Sequence, residues 1–170
     1  EQELLYWLAI EREPVTVQTL RDNLIQPGAS RALIEALRAL QRRSLVGQSP
    51  QGFLLQTVMI EYVTDVLVEQ VCRAIDSDKQ PESAKEQDIL AYTSSVLHRY
   101  ALLKATAKEY VRAAQVRLIL QPVVTQILAQ MGRTRLVARL RELLADLRLQ
   151  PPAQQGYGAG NLLNLLLHIG

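Results

Sequence analysis

From Leu4 to Ile169 the apolar residues recur three and four positions apart, a helical period that leaves little room for anything but a mainly α fold. The rhythm is lost between Leu45 and Leu55. There, Leu45-Val46 and Phe53-Leu54-Leu55 flank a turn-rich stretch, Gly47 to Gly52, that includes Ser49-Pro50. Two short apolar runs around such a loop predict a small β-hairpin. Before it, Leu4, Leu5, Leu8 and Ala9, with Trp7 beside them, predict a helix from about Gln2 to Glu11 that Pro14 stops. Thr16 is placed to cap a second helix over Val17 to Ile25, with Leu20, Leu24 and Ile25 inward. Pro27-Gly28 breaks that helix, and Ser30 can cap a third, running to about Arg43 with Leu33, Ile34, Leu37 and Leu40 inward. After the hairpin, Val58 to Ile75 returns to helix, with Val58, Tyr62, Val66 and Val71 as inward candidates. Three helices, a hairpin and a fourth helix make a winged helix.

Residues 1–76 are thus expected to form a winged-helix domain. Residues 77–88 read as a linker, being polar, containing Pro81 and lacking large apolar side chains. Residues 89–150 are expected to be a helical bundle or arm. Leu102 to Leu120 is its longest clear helix, Pro122 starts or kinks a helix, and Gly132 breaks one. Leu136, Leu140, Leu143, Leu144 and Leu147 then share one side of a helix over Thr134 to Leu149. Pro151-Pro152 ends it, Gln154 to Gly160 is a loop, and Asn161 to His168 is a short last helix, so that residues 151–170 lead toward a further domain. The leucine faces from Leu136 to Leu147 and from Leu162 to Leu167 either dock on that further domain or close one helical core.

At 170 residues with 48% apolar composition, the chain can bury one ordinary core or two small ones. No apolar run approaches the roughly 18 residues a membrane helix needs, and no basic-then-apolar opening suggests a signal peptide. The start at Glu1 rather than Met is read as a segment of a longer chain, and the expected location is cytoplasmic. Cys72 is the lone cysteine, and His98 and His168 lie far apart, so no ligand set of metal-site spacing is expected. Charge is uneven. Residues 1–96 carry 9 basic and 14 acidic side chains, while residues 97–170 carry 10 basic and 3 acidic ones, leaving the whole chain at +2. Such a division suggests either a partner surface or two halves that attract each other.

No G-x-x-x-x-G-K-[ST], G-x-S-x-G or H-E-x-x-H pattern occurs, and Gly156-Tyr157-Gly158-Ala159-Gly160, with no strand before it, reads as a joint rather than a phosphate loop. The chain is therefore expected to have no catalytic residues and to be no enzyme by itself. Nucleic-acid binding is the alternative, because a winged helix can place its third helix in the major groove, and here that helix offers Arg31, Arg38, Arg42 and Arg43. The acidic balance of residues 1–96 weighs against phosphate attraction. Arg133, Arg135, Arg139 and Arg141 crowd another stretch, with 135 and 139 helical neighbours.

Four stretches carry a resemblance. They are Leu4 to Val15 (LLYWLAIEREPV), Ala36 to Leu45 (ALRALQRRSL) followed by Gly52 to Tyr62 (GFLLQTVMIEY), Ala107 to Gln115 (AKEYVRAAQ), and Tyr157 to Leu166 (YGAGNLLNLL). In this order they resemble the winged-helix and helical region that follows the nucleotide-binding core of STAND-class signalling ATPases, of NB-ARC or NACHT type, and above all bacterial members that end in WD-type repeats. The resemblance covers most of the chain. It implies a regulatory module that couples the nucleotide state of an upstream core to downstream sensor repeats. The implied partners are that core and those repeats, with self-association on activation, no nucleic acid and no membrane. It also implies ADP or ATP in the parent protein and no cofactor held by this segment alone. In the family the step after the wing often reads Met-His-Asp, whose His reaches the phosphates of ADP. Leu55-Gln56-Thr57 stands at that step here, so Gln56 and Thr57 are the implied nucleotide-side residues. Gln56 can donate a hydrogen bond to a phosphate oxygen but brings no charge, and Thr57 can equally cap the helix that follows.

Overall fold

The computed structural model describes residues 1–25, 30–76, 96–150 and 155–170. The expected linker, residues 77–88, lies outside them. Helix α1 spans Gln2–Glu11, α2 Val17–Asn23 and α3 Ser30–Arg42; strands β1 (Val46–Ser49) and β2 (Gly52–Leu55) follow, then α4, Thr57–Asp76. This is the element order of a winged helix. After helical residues 96–99 and an irregular stretch over 100–108 come α5 (Glu109–Gln115), a π-helical turn (Val116–Leu120), α6 (Gln121–Arg148) and α7 (Gly158–Ile169).

Local chemistry accounts for much of this. The Thr16 hydroxyl accepts the Thr19 amide at 3.1 Å and so caps α2. The strands pair antiparallel, Val46 opposite Leu55 and Ser49 opposite Gly52. Val15 adds a bridge to the same ribbon through two bonds with Phe53, at 2.9 and 2.8 Å. Gly52 makes that bridge possible: its φ is +140°, and a Cβ there would sit 2.2 Å from the Val15 carbonyl oxygen. Gly52→Ala should accordingly cost about 1–3 kcal/mol, the range for a forced backbone conformation, and detach Val15 from the wing. Chemical denaturation, with amide exchange at Phe53 as the local readout, would show it; unchanged stability and protection would mean that the ribbon can yield.

Helix α4 is the centre of the packing. It lies against α1 on one side and α6 on another, and α6 in turn packs on α7. One continuous apolar core joins Trp7, Leu8 and Ile10 of α1, Leu67, Val71 and Ile75 of α4, Ile119 and Leu120 of the π turn, Leu136, Leu140 and Leu147 of α6, and Leu162 and Leu165 of α7. The two leucine faces thus close on each other within one core. Leu163 and Leu167 remain outside it, the latter 80% exposed.

Several expectations are corrected. The helix expected over Leu102 to Leu120 begins only at Glu109, and the residues before it follow an irregular path tied to side chains of α5 and α7. The Leu102 N–H donates to Asn161 Oδ1 at 2.9 Å, and the Lys104 N–H donates to Gln115 Oε1 at 3.0 Å. The longest helix is instead α6, interrupted at Gly132 (φ 76°, ψ 165°), as its glycine suggested. Helix α2 ends at Asn23, two residues short, with Leu24 already extended (φ −76°, ψ 127°). Val58 and Tyr62 are not inward, being 81% and 64% exposed, since α4 buries the stripe through Val63, Leu67, Val71 and Ile75 instead. Ile25 and Ile34 are each 38% exposed. The last helix starts at Gly158, inside the expected loop, where a Cβ would lie 2.9 Å from His98 Nδ1.

Candidate functional site

Gln56 and Thr57 occupy the exit of the wing. The Gln56 amide closes the ribbon by donating to the Leu45 carbonyl at 3.2 Å, and its own carbonyl accepts the Met59 and Ile60 amides as α4 begins. Both side chains are exposed. Val58 and Tyr62, one turn apart on α4, stand beside them, so the wing exit carries an outward surface with two amphipathic and two apolar contributions. A pair of large exposed side chains flanking hydrogen-bonding groups is suited to docking against another folded surface.

The arginines of α3 fall into two sets. Arg31, Arg38 and Arg42 share one exposed stripe, because spacings of seven and four residues return to the same helix face. Glu35 lies in the middle of that stripe and binds Arg31 at 2.8 Å, which interrupts its positive potential. Arg43 points elsewhere, to Glu1 at 2.7 Å.

Beneath these surfaces lies a buried polar seam that sequence reasoning missed. Lys104 Nζ binds Glu11 Oε1 at 2.5 Å and Asn23 Oδ1 at 3.0 Å, and Asn23 Nδ2 donates to Glu11 Oε1 at 2.6 Å. The pair is well covered, with the side chains of Lys104 and Glu11 only 16% and 6% exposed. Gln115 is wholly buried; besides accepting from Lys104, it donates to the Ile10 carbonyl at 2.9 Å. Asn161 donates to the Leu97 and Tyr100 carbonyls at 2.7 and 2.6 Å while accepting from Leu102. Three side chains therefore pin the irregular stretch 100–108 between α1, α5 and α7. Outside the seam, Glu13 accepts from Lys108 Nζ at 2.8 Å and Tyr110 OH at 2.5 Å, and these two bonds hold its carboxyl below the usual range. The acidic and basic halves thus meet at Glu11–Lys104 and Glu13–Lys108. The available signal was polarity out of place: Gln115 falls at a core position of a helix, and Asn161 directly precedes a run of leucines. An open groove of about 510 Å³ runs over the seam between Thr19, Asp22, Leu103, Thr106 and Tyr157.

An aromatic cluster closes the same junction. Trp7 lies 5.6 Å from Tyr100 and 5.4 Å from Tyr157 between ring centroids, and the Tyr157 hydroxyl donates to the Asn23 carbonyl at 3.0 Å. The Cys72 thiol is pushed up to about 11 by burial and by the nearby charges of Asp76 and Glu69, an environment that disfavours the nucleophilic thiolate. Among the described residues no group of three His, Cys, Asp or Glu side chains gathers in a way that could hold a metal, and no helix is long and apolar enough to cross a membrane.

Compared with known proteins, the chain is 37% identical over 188 aligned positions to an uncharacterized WD repeat-containing protein of Nostoc sp. (strain PCC 7120). The match takes in 99% of this chain but only 15% of that protein's length. No family model matches the chain, and no solved structure matches it. The likeness to a WD repeat-containing protein is compatible with an interaction module that accompanies repeats.

Proposed function

We propose that this chain is a mechanical coupling module of a STAND-class ATPase, set between a nucleotide-binding core and WD-type repeats. The observation that supports it most is the alignment of almost the whole chain with a small part of a WD repeat-containing protein. The winged-helix element order and the motifs through Tyr157 to Leu166 are consistent with it. In this reading the module is no enzyme, and ADP or ATP binds the parent protein. The winged-helix part (residues 1–76) meets the core through Gln56, Thr57, Val58 and Tyr62. The helical part (residues 89–150) and the last helix pass the motion on. Switching needs a contact that exists in one nucleotide state only, and the exposed wing exit offers such a contact. The pinned stretch 100–108 supplies the stiffness that transmission requires, because several buried hydrogen bonds tie it to α1, α5 and α7 at once.

The test begins with the gene. A G-x-x-x-x-G-K-[ST] motif encoded upstream of Glu1 is expected, and its absence would sink the assignment. Given the motif, the full-length protein with Tyr62→Glu should lose ADP-dependent protection from proteolysis at the wing while still binding ADP. Protection equal to the unsubstituted protein would remove the wing exit from the mechanism.

A further inference from the structure

The last helix leaves one face uncovered. Leu162 and Leu165 of α7 are buried, and the helix packs on α6. On its other side Gly160, Leu163 and Leu167 are exposed, at spacings of three and four that put them on one helix face. Leu167 keeps 80% of its surface and Leu163 48%. A Cβ at Gly160 would meet nothing within 4 Å, so a neighbour can approach the backbone closely there. No Lys, Arg, Asp or Glu occurs from Gly158 to Ile169. Other outward faces of the molecule are charged: α3 shows Arg31, Glu35, Arg38 and Arg42, and α6 shows Arg135, Arg141 and Glu142. Single exposed leucines are ordinary, but a pair on an uncharged helix face is the kind of surface that a neighbour covers.

The size and place of this face select its neighbour. Two leucines and a glycine fall far short of the roughly 800 Å² per partner that a stable complex of separate molecules buries, which disfavours a second copy. A helix that lies in a membrane surface carries Lys or Arg beside its apolar face, and α7 has none. A domain joined to α7 by the chain itself needs far less area, because the tether holds it at a roughly millimolar effective concentration. Leu167 stands three residues before Gly170, so a chain continuing from Gly170 leaves next to the uncovered face. The Gly170 carbonyl accepts from Arg133 Nη2 at 3.4 Å, which places the end of α7 against α6 near its bend at Gly132. In the related WD repeat-containing protein most of the chain lies outside the matched part.

We propose that Gly160, Leu163 and Leu167 form the docking face for the repeat domain that follows Gly170 in the parent protein. The inference rests on the reading that WD-type repeats follow this module, but not on the wing exit or on a nucleotide. Repeats docked there sit on the helix whose Asn161 holds the Leu97 and Tyr100 carbonyls. A shift of the repeats thus reaches the buried seam through one helix.

Leu167→Cys tests this in the full-length protein and in the 170-residue chain, with maleimide labelling of the peptide containing position 167 read by mass spectrometry. Labelling in the full-length protein should be at least about tenfold slower, because a covered site reacts only through transient opening. Adding Leu163→Glu should return the rate to that of the 170-residue chain. The same substitution, at a half-exposed position, should leave the denaturation midpoint of the 170-residue chain unchanged, which separates undocking from unfolding. Arg38→Cys, on α3, should label equally in both proteins. Equal rates at position 167 would overturn the proposal. So would slow labelling in the 170-residue chain that speeds up on dilution, since a second copy would then cover the face. Equal rates at position 167 beside the expected response of Tyr62→Glu would leave the coupling reading standing. An absent upstream G-x-x-x-x-G-K-[ST] motif would sink that reading and leave protection at position 167 intact, whereas a reading frame without repeats after Gly170 would overturn both.

Discussion

Replacing Asn161 by Leu should lower the unfolding free energy by about 3–9 kcal/mol, because three buried backbone groups lose their partner together, at about 1–3 kcal/mol each. The side chain is 2% exposed and serves the Leu97 and Tyr100 carbonyls and the Leu102 amide simultaneously. Only a neutral amide offers two donors and an acceptor in that plane. Asn161→Asp is therefore no rescue: it keeps the acceptor toward Leu102 but turns a carboxylate oxygen on two carbonyls. Both variants should be as damaging as each other, whereas a purely steric role would leave Asp close to the unsubstituted chain. Denaturation followed by the fluorescence of Trp7, the sole tryptophan, reads the junction directly, since Trp7 packs on Tyr100 and Tyr157. A loss of less than about 1 kcal/mol in Asn161→Leu, the worth of one ordinary hydrogen bond, would show that the stretch refolds around the change.

Lys104→Met should cost a comparable amount, about 3–5 kcal/mol, since it strands the Glu11 carboxylate in a covered site with Asn23 as its remaining partner. Adding Glu11→Gln should recover most of that loss. Gln at position 11 can still accept the Asn23 amide, while the buried charge is gone. The contrast between single and double variants separates the cost of an uncompensated ion from the worth of the pair. Equal instability of the two would mean that the loss does not come from an uncompensated charge on Glu11. Because Glu11 belongs to the winged-helix part and Lys104 to the helical part, the single variant should also loosen the coupling attributed to this module. In the proposed parent protein that would appear as nucleotide binding without transmission.

The helices were legible where a local rule and the core agree. The end of α1 at Glu11, the Thr16 cap, the hairpin about Ser49-Pro50 and the break at Gly132 follow from apolar spacing, a capping hydroxyl and turn residues acting within a few positions. Residues 102–108 were not legible for the opposite reason. Their own preferences are helical, with Leu102, Leu103, Lys104 and Ala105 all good helix formers, but bonds to the distant Asn161 and Gln115 hold them in an irregular path that no local preference signals. The orientation of α4 was hidden in a similar way. Val58 and Tyr62 share a helical face with Val66, and only the positions of α1 and α6 decide that the neighbouring stripe is the buried one.

What the sequence by itself determined is the mainly helical fold, the winged-helix order and the capacity of two oppositely charged halves to attract, since period, turn chemistry and charge are properties of near neighbours or of sums. What the tertiary structure alone decided is where the halves meet: at Glu11 with Lys104, at Gln115 beneath Ile10, and at Asn161 under the 97–102 turn. Each of these joins residues roughly sixty to a hundred positions apart. A buried polar group must find its partner wherever the packed chain presents one, and no local pattern specifies where that is.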